Sequence, residues 1–322
     1  MPSDNFPKIS VILPAYNAEK YIEAAVNSIL LQTYQNFEIF IADDCSNDRT
    51  KAIIDAMNDS RIQTYHNETN LGKTETVKKL YSYVSGTFVT IHDADDISLP
   101  ERFEKQMLAF ATNPKLGMCG TSFNSVSEDG KTVLETIIME SDYNKVLENI
   151  PNASQFHGPT MMIKKSILDE LGEIYRPFFK NNYEDTDLAY RIAERYESVN
   201  LPEVLYIYRI LETSLCRSKV DVWNRNLYKA VAFLAKERKE SGADSIMRGN
   251  PQVVYDYFNT ATIHYQQDTS LIHREAAAYF MYWKLYPRAI KEGWLSVVKN
   301  PFSLVNWRIW FYCYRKRMFS KK

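Results

Sequence analysis

The chain has 322 residues, 45% of them hydrophobic and 25% charged, and a formal net charge of −1. Such a composition excludes a disordered chain, leaves enough length for a real core, and provides no reason to invoke nucleic acid. The start, Met1-Pro2-Ser3-Asp4, lacks the layout of a signal peptide, no stretch reaches the ~18 apolar residues of a membrane span, and Cys45, Cys119, Cys216 and Cys313 form no C-x-x-C pair, which argues against zinc and for reduced cytosolic thiols.

Ile9 to Leu13 is a β-branched apolar run that stops at Pro14 and predicts a strand. Glu19 to Leu31 carries Ile22, Ala25, Val26, Ile29 and Leu30 at helical spacing. A second strand, Phe37 to Ala42, ends at Asp43-Asp44, and a helix over Asn47 to Met57 follows. Ile62 to His66 is a third strand, Asn70-Leu71-Gly72 a turn, and Thr74 to Tyr83 a helix. The fourth strand, Phe88 to His92, runs into Asp93-Ala94-Asp95-Asp96, ahead of a helix over Pro100 to Phe110 with proline near its first position. Beyond Gly117 the pattern is mixed: Met161 to Ile167 and Val204 to Tyr208 read as strands, Asp187 to Tyr196 as a helix. From about Lys219 onward it is helical, over Trp223 to Lys239, Pro251 to Gln266, Ile272 to Tyr286 and Ala289 to Val298. Alternating strands and helices predict an α/β fold with a mostly parallel sheet over residues 1–218. Residues 219–322 then form a helical C-terminal region.

In such sheets ligands bind beyond the carboxyl ends of the strands. Asp43-Asp44 and Asp93-Asp95-Asp96 sit at two of those ends. Residues two apart on an extended chain project to one side. Asp93 and Asp95 can therefore hold one hard divalent ion, which binds through carboxylates plus substrate phosphates and helps a diphosphate depart. The same acids also suit a solvated turn. Asp43-Asp44 suits either a turn or hydrogen bonding to a nucleotide base or ribose. Glu184-Asp185 can take the proton of an attacking hydroxyl, or can simply stabilise a helix N-terminus through its dipole.

The segment ISVILPAYNAEKYIEAAVNSILLQTYQNFEIFIADDCSNDRT, residues 9–50, resembles the opening of family 2 glycosyltransferases of the GT-A fold. The order continues with Asn70-Leu71-Gly72, His92-Asp93-Ala94-Asp95-Asp96 and Tyr183-Glu184-Asp185-Thr186-Asp187, so the resemblance covers about residues 8–215. It implies an inverting hexosyl- or N-acetylhexosaminyl-transferase of the bacterial polysaccharide type. Such an enzyme moves a sugar from a nucleotide diphosphate, expected to be UDP, to a hydroxyl of a glycan or lipid-linked acceptor. Pro14, Ala15 and Tyr16 would line the base, and Asp44 would bind uracil with Asp43 behind it. Asn70, Gly72, Lys73 and Ala94 would complete the donor site, with Lys73 reaching the base or a phosphate. Asp93 and Asp95 would hold Mn²⁺ or Mg²⁺, Asp185 would be the general base and Glu184 would contact the acceptor. His157-Gly158 lies where relatives meet the acceptor. Many relatives carry Y-R-x-H-x-x-S-x-S after the base. Here Leu211 takes the histidine position and Cys216 the last serine, which puts a third protein ligand to the metal in doubt. The processive Q-x-x-R-W motif is absent, so single transfer is expected. A non-catalytic nucleotide-sugar binding module is the competing reading. A haloacid-dehalogenase-like phosphatase is disfavoured because that family carries D-x-D on its first strand.

No acidic residue follows Glu292, whereas Lys299, Arg308, Arg315, Lys316, Arg317, Lys321 and Lys322 do. Trp307, Trp310, Phe311 and Tyr314 can share a helix face. Residues 300–322 therefore suit either an anionic membrane surface or docking onto the helical region. The expected location is cytoplasmic, with peripheral attachment to the inner face of the cytoplasmic membrane as the extension of the first reading.

Overall fold

The computed structural model describes residues 7–212, 214 and 220–319. The chain divides into two units, Met1–Arg209 and Ile210–Lys322. The division falls ahead of the 218/219 boundary expected from the sequence, which lies outside the described residues, as do Met1–Asp4, Cys216, Lys321 and Lys322. Among the described residues Cys45, Cys119 and Cys313 are free thiols.

The first unit is built on the strand-helix alternation. It opens with β1 (Ile9–Ala15), α1 (Ile22–Leu30), β2 (Phe37–Asp43), α2 (Thr50–Asp55), β3 (Ile62–His66), α3 (Lys73–Tyr81) and β4 (Phe88–Ile91). β5 (Ile97–Ser98), α4 (Arg102–Thr112), β6 (Leu116–Val126), β7 (Val133–Ile137), α5 (Tyr143–Asn149), β8 (Met162–Lys164), α6 (Lys165–Leu171), α7 (Glu184–Ala193) and β9 (Glu197–Arg209) follow. The strands form a sheet in the order β3-β2-β1-β4-β8-β6-β9-β5, with β7 on the side of β6. β3, β2, β1 and β4 are parallel, whereas β8 is antiparallel to both β4 and β6. Ile9, Val11 and Leu13 of β1 and Ile39 and Ile41 of β2 alternate onto one face. They pack there in one cluster with Ile22, Val26 and Ile29 of α1 and Phe103, Met107 and Phe110 of α4.

Two departures from the sequence reading in this unit have a local cause. β1 runs through Pro14 to Ala15, because its pairing with β4 ends at Ile12 and Ile91. At Pro14 only β2 remains alongside, so the missing N–H interrupts no ladder on the other side. The expected strand over Met161 to Ile167 is only β8. From Lys165 the chain turns into α6, which carries the Lys165–Asp169 ion pair at i, i+4 and is stopped by Gly172 at φ +70°.

The second unit is helical: α8 (Val222–Ser241), α9 (Gln252–Ala261), α10 (His264–Gln267), α11 (Leu271–Tyr282), α12 (Tyr286–Lys299) and α13 (Leu304–Phe319). Asp221 caps α8 by accepting from the Asn224 N–H at 2.7 Å, and Gly242 ends it in the left-handed region. The helix expected over Pro251 to Gln266 breaks between α9 and α10, where the Thr262 hydroxyl bonds back to the Phe258 carbonyl. Ala276, Ala277, Phe280, Ala289 and Cys313 form the core where α11, α12 and α13 meet. Among the described residues, no helix is long and apolar enough to cross a membrane.

A buried ion-pair triad anchors α7. Asp187, fully buried, accepts from Arg176 through both its oxygens and from Arg191 Nε at 2.9 Å, and Arg191 also donates to the carbonyls of Glu173 and Ile174. Removing the shared carboxylate charge leaves two buried guanidinium groups facing each other. Asp187→Asn should therefore lower stability by about 3–5 kcal/mol in urea unfolding of the full chain. A loss below ~1 kcal/mol, the level of an exposed pair, would show that the triad does not hold α7 in place.

Candidate active site

Strand register aligns the exits of the parallel strands. Ala15 of β1 is paired with Asp43 of β2, and Asp43 with His66 of β3. Tyr16, Asp44 and Asn67, the next residue of each, therefore emerge along one edge of the sheet. Asp93 emerges beyond β4 on the same edge, since the His92 N–H reaches the Ile12 carbonyl of β1 at 2.9 Å. β8 runs antiparallel to β4 with Met162 opposite Thr90. Residues ahead of Met162, including His157 and Gly158, thus approach the same edge. Pro14 is half-buried, Ala15 is buried and Tyr16 is 47% exposed.

Asp44 organises the turn beside this edge. Its carboxylate accepts from the N–H groups of Leu71 and Gly72 and from Asn67 Nδ2, each at 2.8 Å. That occupies three of roughly four acceptor positions. Asp43, behind it, accepts from the Ser46 N–H. Asn70 Oδ1 also accepts from the Gly72 N–H, at 3.1 Å. Gly72 has φ +81°, and a Cβ there would lie 2.6 Å from Asn181 Nδ2, so both conformation and space require glycine. Asn181 Oδ1 in turn accepts from the Thr74 N–H in the first turn of α3.

These constraints aim Lys73, the first residue of α3, at the D-x-D turn. Its Nζ lies 2.6 Å from Asp93 Oδ1. Burial opposes the ammonium charge, but Asp93, with Tyr175, Glu184 and Asp185, overcomes it and holds Lys73 protonated. Burial raises the Asp93 carboxyl, yet Lys73 outweighs it and leaves Asp93 ionised. Asp95 is pushed up to about 6 by burial and by the charge of Asp93. Glu184 is pushed up to about 7 by burial and by Asp185, and its Oε2 is buried with no hydrogen-bond partner among the described residues. Asp185 is raised by burial, against the pull of Lys73, and accepts from the Thr186 N–H at 2.7 Å. Lys73 thus links the D-x-D turn electrostatically to the Glu184-Asp185 pair, two clusters about ninety residues apart in sequence.

The residues present suit a hard divalent ion. Asp95 carries an excess of negative surroundings that a cation relieves, and Asp93 lies beside it on the same turn. Among the described residues, no group of three or more His, Cys, Asp or Glu side chains converges as a ready-made metal cage. An ion held by Asp93 and Asp95 would need further oxygens, as a diphosphate supplies. Leu211, the position that left a third protein ligand in doubt, belongs to the second unit.

Gly158 lies against the Asp185 carboxylate, and His157 precedes it in the chain. A Cβ on Gly158 would lie 2.1 Å from Asp185 Oδ2, so the absent side chain is what makes room for that oxygen. The His157 ring stacks on Phe123 at 4.0 Å and meets Tyr208 edge-on at 4.8 Å. Ala94, between the two aspartates, is buried.

Several residues that hold the site were not among the site candidates read from the sequence. Arg209 donates from Nε to the Asp95 carbonyl (2.9 Å) and from its backbone N–H to Asp96 Oδ1 (2.8 Å), tying the end of β9 to the D-x-D turn. His92 is buried and bonded to the Asp93 carbonyl and to Ser98 Oγ; burial, then Arg102, lowers it to about 3, so it stays neutral. Arg209 follows Tyr208 in the Y-R pair already noted, which was the available clue. Asn181 had none, because its partner in α3 is remote in sequence.

Residues 10–172 match the family described as Glycosyl transferase family 2. Glycosyltransferase GlyG of Streptococcus pneumoniae serotype 4 is 29% identical over 282 residues, covering 81% of this chain and 91% of that protein. O-antigen biosynthesis glycosyltransferase WbnJ of Escherichia coli is 30% identical, over 71% of this chain and 89% of its own length. The E. coli UDP-Glc:alpha-D-GlcNAc-diphosphoundecaprenol beta-1,3-glucosyltransferase WfgD is 36% identical over 44% of this chain and 55% of that protein. Among solved structures, S. aureus TarS 1–349 in complex with UDP-GlcNAc aligns with a TM-score of 0.58 at 21% identity, over 96% of this chain and 92% of that one. This chain spans 49% of the longer TarS chain. The mannosyltransferase PcManGT from Pyrobaculum calidifontis, in complex with GDP-Man and Mn²⁺, aligns at 0.55 with 17% identity, over 99% of this chain and 89% of that one. With a family match across half of its length and a mostly parallel sheet of the GT-A type, the chain belongs to glycosyl transferase family 2 and is a glycosyltransferase.

Proposed function

We propose that the enzyme transfers a hexosyl or N-acetylhexosaminyl unit from a UDP-sugar to a hydroxyl of a glycan or lipid-linked acceptor, inverting the anomeric centre in one displacement. The observation that carries this reading is Lys73, which bridges the D-x-D turn and the Glu184-Asp185 pair. The UDP-GlcNAc complex of TarS supports the donor class, and the name of WfgD, with UDP-Glc as donor and a diphosphoundecaprenol-linked acceptor, supports the acceptor class. A nucleotide-sugar donor and the free thiols of Cys45, Cys119 and Cys313 suit the cytoplasm.

Each group then has a role. Tyr16, exposed at the end of β1 beside Pro14 and Ala15, stacks on the base, and the remaining acceptor position of Asp44 takes the ring N–H of uracil. Asp43 supports Asp44 from behind, and the Asn70–Gly72 turn bounds the donor. Lys73, already cationic, faces the diphosphate. Asp93 and Asp95, with Ala94 between them, would hold Mn²⁺ or Mg²⁺, which when bound neutralises charge on the departing diphosphate. Asp185 takes the proton of the acceptor hydroxyl as its oxygen bonds to the anomeric carbon. The bond from that carbon to the phosphate oxygen breaks, and UDP leaves with the electron pair. His157 and Gly158 border the acceptor side, and Glu184 contacts the acceptor.

Asp95→Ala should abolish metal-dependent UDP binding in calorimetry together with turnover. Metal-dependent UDP binding equal to wild type in this variant would remove Asp95 from the metal site. Asp185→Asn should keep donor binding and lose roughly 10²–10⁴-fold in transfer, the usual contribution of a general base. Normal transfer by this variant would overturn the base assignment. Glu184 gives a pH signature in metal-free buffer. Its folded-state pKa of about 7 lies above the unfolded value near ~4.3. The folded state therefore binds more protons across that window, and stability falls as pH rises through it. Glu184→Gln should be more stable than wild type at pH ~8, by on the order of 3 kcal/mol, and should converge with it at pH ~4. Denaturation curves at the two pH values check this. A variant less stable than wild type at the higher pH would show that Glu184 is held by its charge.

A further inference from the structure

α13 packs Ile309, Trp310 and Cys313 against its own unit yet leaves several large apolar side chains exposed. The side packed on its own unit carries Asn306, which is fully buried, and Cys313. Asn306 donates to the carbonyls of Ser296 (2.8 Å) and Asn300 (2.9 Å) and accepts from Arg274 Nη1 (2.9 Å), so the helix is firmly seated. The side turned to solvent carries Leu304, Phe311 and Met318, which are 75%, 64% and 64% exposed. They recur every seven residues, about two helical turns, and so form one ridge. Trp307 and Tyr314 run along one flank of the ridge and Arg308 and Arg315 along the other. Trp307 also meets Trp294 of α12 at 6.2 Å, which extends the aromatic flank onto a second helix. Just ahead of α13, Phe302 is 95% exposed. A helix that buries an asparagine and exposes its apolar ridge marks a surface that another body covers.

We infer that this ridge docks on an anionic lipid surface. The charge pattern selects that occupant over a second copy of the chain. Leu304, Trp307, Phe311, Tyr314 and Met318 also have the alternating three- and four-residue spacing of a coiled coil. Self-pairing, however, would bring Arg308 and Arg315 of two copies alongside each other, and no acid follows Glu292 to oppose them. Lipid headgroups of negative charge meet the same arginines favourably, the ridge enters the acyl boundary, and the tryptophan and tyrosine flank sits at headgroup level. The surface belongs to the second unit alone and does not depend on the catalytic assignment.

Co-sedimentation of the full chain with vesicles tests the inference. Binding is expected to vesicles of phosphatidylcholine mixed with phosphatidylglycerol, with weak binding to phosphatidylcholine alone and release as salt is raised. Arg308→Gln with Arg315→Gln should weaken partitioning about 25-fold, some fivefold per cation, and Phe311→Ser about tenfold. Near-ultraviolet circular dichroism of the variants should match wild type, showing an intact fold. Equal partitioning of wild type and the double variant would overturn the inference. So would a dimer in sedimentation velocity that Phe311→Ser dissociates, which would assign the ridge to a second copy.

Discussion

The site rests on one ammonium group among carboxylates. Burial disfavours the charge of Lys73, and Asp93, with Tyr175, Glu184 and Asp185, more than offsets it. In return it keeps Asp93 ionised and pulls the Asp185 carboxyl down against the effect of burial. The acids are gathered beyond the strand ends, and Lys73 offsets part of their mutual repulsion. Its position depends on everything that orients the start of α3: the positive φ of Gly72, the Asp44 bonds that hold the turn, and the Asn181 contact to Thr74.

The opposite wall of the site is held by a different device. Lys180, Asn181 and Tyr183 all adopt positive φ just ahead of Glu184, a conformation that non-glycine residues take at a cost of order ~1–3 kcal/mol each. The chain bends sharply there and delivers Glu184 and Asp185 on the first turn of α7. The Arg176–Asp187–Arg191 triad offsets that cost from the buried side of the same helix. Gly158 completes the wall by its lack of a side chain. A strained approach, a buried clamp and a glycine gap together define where one carboxylate oxygen sits.

Family membership accounts for the transferase chemistry, and the proposed donor and acceptor classes draw their support from what relatives are named for. The second unit contributes something separable. Its final described helix presents an apolar ridge with arginines on one flank, whereas its packed side is partly polar. The proposed lipid-linked acceptor and the inferred lipid-docking ridge are chemically compatible.

Local pattern was enough for the parallel half of the sheet and for the acids at its strand exits. Periodicities of two and near four are properties of neighbouring residues, and Asp43-Asp44 and Asp93-Ala94-Asp95 follow directly on apolar strands. The mixed region was harder for a physical reason. β8 is only Met162–Lys164, and β6 and β9 find their partners through register shifts that leave no local trace. Which residues hold the Asn70–Gly72 turn, that Lys73 pairs with Asp93, and that the Glu184 carboxyl is pushed up to about 7 depended on the tertiary structure. Burial and distance set a charge's cost and its partner, and both arise only when segments far apart in the chain are brought together. The sequence by itself determined which side chains stand at the strand ends; folding decided which of them are charged, which are neutral, and which face one another.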